Sequence, residues 1–137
     1  LGLLGWILEQ TGPADVAVTT FSTSDAFLCG VINLRKRGLI NHSTLVADIK
    51  ASSKTLKLKR LMTEAFDEVK LTLNHSKIIL VSNAEWLVSV ITSQNQTYGD
   101  RAECTFISLD RDVYLDIHNM LNNLLDDKNT ISIPRGE

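Results

Sequence analysis

Two short apolar runs lie four residues apart in the middle of the chain and limit how this region can fold. The first run is Ile78–Val81, the second is Trp86–Ile91, and Ser82-Asn83-Ala84-Glu85 separates them. Apolar runs of this length, bounded by polar and turn-forming residues, are typical of buried strands. The pattern therefore predicts two antiparallel strands joined by a tight turn.

Polar residues that could bind an anion or take part in catalysis flank this predicted hairpin. His75 and Lys77 precede the first strand, and Ser93 and Asn95 follow the second. Side chains two residues apart on an extended segment point to the same face. In an antiparallel pair, the second strand ends beside the start of the first. We therefore expect these four side chains to converge into an anion site that contains a reactive imidazole.

The remaining elements alternate between helical and strand patterns. Helices are predicted over residues 1–10, 22–37, 56–66 and 110–125, and further strands over 14–21, 43–51, 68–73 and 103–109. An order of βαβαβ followed by a hairpin, a strand and a helix predicts an α/β fold. We expect a mixed, mostly parallel sheet with helices on both faces. Residues 1–125 are predicted to form one domain, and residues 126–137 a C-terminal tail.

The composition is that of an ordinary globular protein, with 137 residues, 44% hydrophobic and 22% charged. No apolar run reaches the roughly 20 residues that a membrane helix needs. The chain does not begin with Met, so we expect it to belong to a longer protein. Cys29 and Cys104 lie among apolar residues without metal-ligand spacing, which predicts two buried thiols in a reducing cytoplasm.

Charge is distributed unevenly along the chain. Residues 35–77 contain ten Lys or Arg against four acidic residues, whereas residues 78–137 contain nine acidic residues against four basic ones. The basic excess favours contact with an anionic polymer, although solvated helix faces give the same pattern. The residues predicted to bind nucleic acid are Lys50, Lys54, Lys57, Lys59 and Arg60.

The residues around the hairpin resemble the phospholipase D superfamily signature. That signature is His-x-Lys followed by Gly-Ser-x-Asn, matched here by Asn74-His75-Ser76-Lys77 and Thr92-Ser93-Gln94-Asn95. Glu103 resembles a downstream Glu of the superfamily. The order of elements is also similar, because βαβαβ precedes the motif and a helix follows it.

The resemblance implies a phosphodiesterase, most simply a nuclease that acts through a phosphohistidine without metal or cofactor. It implies His75 as nucleophile or acid–base partner, and Lys77, Ser93 and Asn95 as ligands of the phosphoryl oxygens. Glu103 would accept a hydrogen bond from the other imidazole nitrogen and so fix the tautomer. The basic segment and the lack of a lipid-facing segment favour DNA or RNA, and not a membrane, as the partner, together with a second copy of the chain.

The sequence departs from the superfamily pattern in three ways. Ser82 stands where the motif has Asp, and Thr92 stands where it has Gly. The chain also carries one motif, whereas the superfamily's active site takes one from each of two halves. Short nuclease-like members assemble the site from two subunits, so we expect a homodimer. The alternative is a catalytically degenerate phosphate-binding, nucleic-acid-binding or regulatory module of the same fold.

Overall fold

The computed structural model describes residues 2–51, 58–96 and 101–135. Within these ranges the helices are α1 (Gly2–Thr11), α2 (Asp25–Lys36), α3 (Lys59–Ala65) and α4 (Arg111–Leu125). The strands are β1 (Ala14–Thr20), β2 (Ile40–Asp48), β3 (Glu68–Thr72), β4 (Ile78–Ser82), β5 (Leu87–Thr92), β6 (Thr105–Ser108) and β7 (Ile131–Ile133). A short 3-10 turn, Ile49–Ala51, follows β2.

The seven strands form one sheet in the order β6-β5-β4-β1-β2-β3-β7. The strands β1, β2 and β3 are parallel neighbours, as predicted for the βαβαβ unit. The predicted hairpin of β4 and β5 is antiparallel, with Ile78 opposite Ile91. The pairs β1–β4, β5–β6 and β3–β7 are antiparallel as well. The expected mixed sheet is confirmed, but "mostly parallel" is wrong, because only the crossover-linked strands run parallel.

The helices cover both faces of the sheet, as predicted. Side chains of α1, α2 and α3 share the larger apolar cluster with Val16, Val18, Ile79 and Val81. On the other face, Tyr114 and Leu121 of α4 pack with Val46, Ile78 and Leu80. Alternate residues of β4 thus face opposite clusters, which explains why the first four residues of this strand are all apolar.

Local chemistry sets the ends of two helices. The Ser24 hydroxyl accepts from the Phe27 N–H at 3.3 Å and caps α2, and the Asp110 carboxylate accepts from the Val113 N–H at 3.0 Å and caps α4. Such caps stabilise a helix by about 1 kcal/mol. Gly38 follows α2 with φ of +75°, a conformation that glycine adopts without strain.

The C-terminal tail prediction is wrong for residues 131–133. This segment forms β7 and pairs antiparallel with β3, placing Ile133 opposite Val69 and Ile131 opposite Leu71. Ile133 also packs against the larger apolar cluster. The otherwise open edge of β3 supplies the hydrogen-bonding partner that the sequence did not reveal. The domain therefore extends beyond residue 125.

The two thiols are also not buried. Cys29 on α2 and Cys104 just before β6 are both exposed. Cys29 lies between Leu28, which is buried, and Gly30 on the outer side of α2. Cys104 belongs to a segment, residues 101–107, in which every residue is exposed. Apolar neighbours in the sequence therefore did not imply burial for either residue.

Asp67, between α3 and β3, joins several charged groups at the amino ends of the parallel strands. Its carboxylate accepts from the Ser43 N–H and from Arg35 Nη2, each at 2.8 Å, and lies 3.4 Å from Arg135 Nη2 and 3.6 Å from His42 Nδ1. Partial burial acts to raise the pKa of this carboxyl. The Ser43 hydrogen bond, the Arg35 guanidinium and His42 outweigh that effect, so the pKa lies below its ordinary value.

Because the folded-state pKa of Asp67 is lowered, its ionised form stabilises the fold above the unfolded pKa of about 3.9, and this contribution disappears as pH falls through the folded value. We expect Asp67→Asn to lower the free energy of unfolding by about 1–3 kcal/mol at pH 7. The difference from wild type should shrink in acid, as measured by urea denaturation at both pH values. Asp15→Asn, at an exposed carboxylate in β1, is the control and should change stability little.

Candidate functional site

The predicted site residues lie at the edge of the sheet that is formed by the carboxyl ends of the parallel strands, and not along an outermost strand. Because β4 is antiparallel to β1 and β5 is antiparallel to β4, the start of β4 and the end of β5 reach this same edge. The backbone N–H of Thr92 donates to the Lys77 carbonyl at 3.0 Å and joins the two segments. Ligands of open α/β sheets commonly bind outside the carboxyl ends of parallel strands.

A buried polar network fixes the backbone that carries His75. The Asn74 N–H donates to the Asp48 carboxylate at 2.8 Å, and Asn74 Nδ2 donates to the Thr20 carbonyl at 3.2 Å. Asn74 is 5% exposed and Asp48 is also 5% exposed. Buried polar groups are stable only when they are hydrogen-bonded, so these contacts tie the loop after β3 to the ends of β1 and β2. The segment that presents His75 is thereby held in place.

His75 and Lys77 contact each other, as predicted from their spacing. Lys77 Nζ lies 3.3 Å from His75 Nδ1 and donates to the His75 carbonyl at 3.0 Å. The imidazole is exposed and lies against the Phe21 ring, with centroids 5.4 Å apart and planes inclined by 51°. An ammonium group has donors only, so a neutral imidazole accepts at Nδ1 and carries its proton on Nε2.

Phe21 also connects His75 to Asn95. The Phe21 N–H donates to Asn95 Oδ1 at 3.1 Å, while the Phe21 ring contacts His75. The neighbouring Gln96 N–H donates to Thr20 Oγ1 at 3.1 Å. With Oδ1 held in this way, Nδ2 is the donor end of the Asn95 amide, and it has no hydrogen-bond partner within the described residues.

Ser93 and Glu103 form a separate group at the end of the β5–β6 pair. The Ser93 hydroxyl donates to the Glu103 carboxylate, and the Cys104 N–H donates to that hydroxyl at 3.0 Å. Because Thr92 at the end of β5 pairs with Thr105 at the start of β6, residues 93 and 103 lie close to each other just beyond this pair. The expected hydrogen bond from His75 to Glu103 is not made in the described part of the chain. The antiparallel pairing of β5 and β6 places the Glu103 carboxylate next to Ser93 instead, and it accepts the hydrogen bond of that hydroxyl.

Two departures from the signature have little effect on the geometry around His75. Ser82 is the last residue of β4 and pairs with Asp15 at the opposite edge of the sheet. A five-residue strand spans about 17 Å, so Ser82 is remote from a phosphate at His75. The Thr92 hydroxyl lies 2.9 Å from Thr105 Oγ1 and accepts from the Gln94 N–H at 3.1 Å. Its side chain is thus engaged with β6 and the following turn.

Three of the predicted nucleic-acid-binding residues are described. Lys50 is exposed in the turn after β2, at the same edge as His75. Lys59 and Arg60 are exposed in the first turn of α3, and Arg60 Nε lies 3.2 Å from Glu64. Lys54 and Lys57 lie outside the described residues. Of these three residues, Lys50 is the one that lies at the same edge of the sheet as His75.

The described residues contain no group of three or more His, Cys, Asp or Glu side chains able to hold a metal ion. Within those same ranges, no helix is both long enough and apolar enough to cross a membrane. His118 stacks on Tyr114 with ring centroids 5.8 Å apart, and His42 contacts Glu68 at 3.0 Å. Both histidines thus lie among structural contacts on other parts of the fold.

Sequence reasoning missed the residues that support the site. Asp48 and Thr20 hold Asn74, and Phe21 contacts both His75 and Asn95. The sequence did contain a signal for Asp48, because a single carboxylate follows the apolar run Leu45–Ala47. It stands at the carboxyl end of a predicted parallel strand, where ligands of such sheets commonly bind. Phe21 gave no such signal, because an aromatic residue at the end of a strand ordinarily packs in the core.

No protein-family profile and no curated protein matches the chain. Among solved structures, the chain is similar to the crystal structure of polyphosphate kinase from Porphyromonas gingivalis, with a TM-score of 0.67 and 13% sequence identity. The likeness covers 96% of this chain and 22% of that chain, so this chain spans about a fifth of its structural relative. At this identity the likeness shows the fold alone. The fold is a mixed α/β sheet of the phospholipase D-like type.

Proposed function

We propose that this chain is a phospholipase D-like phosphodiesterase that cleaves nucleic acid through a phosphohistidine on His75. The observation that carries the proposal is the contact of His75 with Lys77 and Phe21, on a backbone held by the buried Asn74–Asp48 hydrogen bond. A nucleophile with a cation beside it, on a backbone fixed by hydrogen bonds, is what phosphoryl transfer requires.

In the proposed reaction, Nε2 of His75 attacks phosphorus and forms a P–N bond. The bond to the leaving oxygen breaks with its electron pair, and that oxygen takes a proton from a second acid. Lys77 Nζ and Asn95 Nδ2 stabilise the charge on the phosphoryl oxygens. Water then attacks phosphorus, releases the phosphate monoester and returns the electron pair to His75.

Phosphate binding also changes the tautomer of His75. In the unliganded arrangement Lys77 donates to Nδ1, which leaves the proton on Nε2. A phosphate anion attracts Lys77 Nζ more strongly than a neutral ring nitrogen does. Movement of Lys77 towards the phosphate allows Nδ1 to carry the proton and exposes the Nε2 lone pair. The substrate therefore takes part in activating its nucleophile.

A binding module without turnover is the second candidate function. It is favoured by the engagement of Glu103 with Ser93, which leaves no carboxylate on the His75 imidazole within the described residues. Such a module would hold phosphate with Lys77 and Asn95 but leave it uncleaved. Cleavage of a single-stranded oligonucleotide by the purified protein distinguishes the two candidates.

Metal removal tests the proposed mechanism. Since the nucleophile and the charge stabilisation both come from side chains, we expect the cleavage rate in excess EDTA to stay within about twofold of the untreated rate. The rate is measured on a fluorescently labelled oligonucleotide, with a Mg²⁺-dependent nuclease as the control that EDTA must stop. Activity that disappears in EDTA and returns with a divalent cation would refute the phosphohistidine route.

A further inference from the structure

An exposed leucine stands beside the candidate anion site. Leu73 follows β3 and is 62% exposed, although its neighbours Thr72 and Asn74 are 3% and 5% exposed. The buried hydrogen bonds of Asn74 hold this backbone, so Leu73 is displayed outwards from a fixed position. It lies two residues from His75, which places the two Cα atoms within about 7 Å.

The surroundings of His75 therefore combine charge with apolar surface. Lys77 supplies an ammonium group, while Leu73 and the partly buried Phe21 supply hydrocarbon and an aromatic ring. Ile131, the first residue of β7, is 51% exposed and lies opposite Leu71, next to the end of β3 from which Leu73 follows. A ligand made only of phosphate groups has no apolar surface to bury against these side chains. A nucleotide has both a phosphate and a base.

We infer that Leu73 is a specificity residue that contacts the base next to the phosphate bound at His75 and Lys77. The inference rests on the proposed function and narrows its substrate to single-stranded nucleic acid. In a duplex the bases are stacked and paired, so a side chain beside the phosphate site reaches a base face only in an unpaired strand. Lys50, exposed at the same edge, provides a cation for a neighbouring phosphate.

The test compares four probes of equal phosphate number: a single-stranded oligonucleotide, the same strand with abasic units, its duplex, and inorganic polyphosphate. Every protein carries His75→Ala so that the probes stay intact, and affinity is measured by competition against a labelled single strand. We expect this background protein to prefer the base-bearing single strand. Adding Leu73→Ala should lower the affinity for that probe about fivefold and leave the affinities for the abasic strand and for polyphosphate unchanged.

Leu109→Ala is the matched control, because Leu109 is 61% exposed and follows β6 at the opposite edge of the sheet. It should leave all four affinities unchanged. Leu73→Phe should retain or strengthen the preference for bases, since a flat ring also stacks on them. Equal binding of base-bearing and abasic strands, or equal losses in the two leucine variants, would overturn the role of Leu73 alone. Failure to bind any probe would overturn the proposed function as well.

Discussion

Replacing His75 with alanine is expected to lower phosphodiester cleavage by at least about 10³-fold while leaving the protein folded. The imidazole is exposed and contacts Lys77 and Phe21, so its removal creates no cavity in the core. The loss should therefore appear in kcat and not in the denaturation midpoint. Initial rates on a labelled single strand, with circular dichroism of the same samples, measure both quantities.

His118→Ala provides the control for loss of an imidazole as such. His118 stacks on Tyr114 and lies 3.4 Å from Asn122 Nδ2, all on α4 and away from the strand ends that carry His75. Its cleavage rate should remain close to wild type. A folded His75→Ala protein that cleaves at the wild-type rate would remove this histidine from the mechanism. A wild-type protein that binds the strand and leaves it intact would favour the binding module.

The second large effect is expected when active and inactive subunits are mixed. In-line displacement puts the nucleophile and the acid that protonates the leaving oxygen on opposite sides of phosphorus, so the reaction needs two such groups. The sequence contains one His-x-Lys motif. We propose that a two-fold axis brings a second His75 and Lys77 to the site, because an isologous contact apposes the same surface of both subunits.

This arrangement predicts a homodimer of about twice 15.2 kDa in light scattering. After subunit exchange with an equal amount of His75→Ala protein, about a quarter of the pairs are wild type on both sides. At the same total protein concentration, activity should therefore fall to about a quarter of that of pure wild-type protein. Simple dilution by inactive subunits would give about a half. Mixing with the His118→Ala protein should leave the total activity unchanged. Linear dilution by His75→Ala subunits, or a monomer that remains fully active, would contradict a shared site.

Features with a local cause could be predicted from the sequence. The cap at Asp110, the glycine at Gly38 and the hairpin of β4 and β5 each depend on residues close together in the chain. The contact of His75 with Lys77 was predictable for the same reason. The two hairpin strands appear where they were expected, within the few residues by which strand boundaries usually shift.

Features that depend on distant partners could not be predicted in this way. The insertion of β4 beside β1 and the pairing of β7 with β3 join residues about sixty positions apart, and periodicity carries no information on such partners. The Glu103 carboxylate illustrates the consequence for the site. Its distance from Ser93 follows from the register of β5 and β6, and that register assigns it to the hydroxyl and not to the imidazole.

The late position of β7 in the chain has a consequence for synthesis. β3 is complete at Thr72, whereas its edge partner begins at Ile131, about sixty residues later. At translation rates of about 5–20 residues per second, the backbone of Val69 and Leu71 waits roughly 3–12 s for its partner. During that interval a neighbouring nascent chain can add a strand to the open edge. On a crowded polysome, the yield of folded protein therefore depends on how quickly Ile131–Ile133 emerges and closes the sheet.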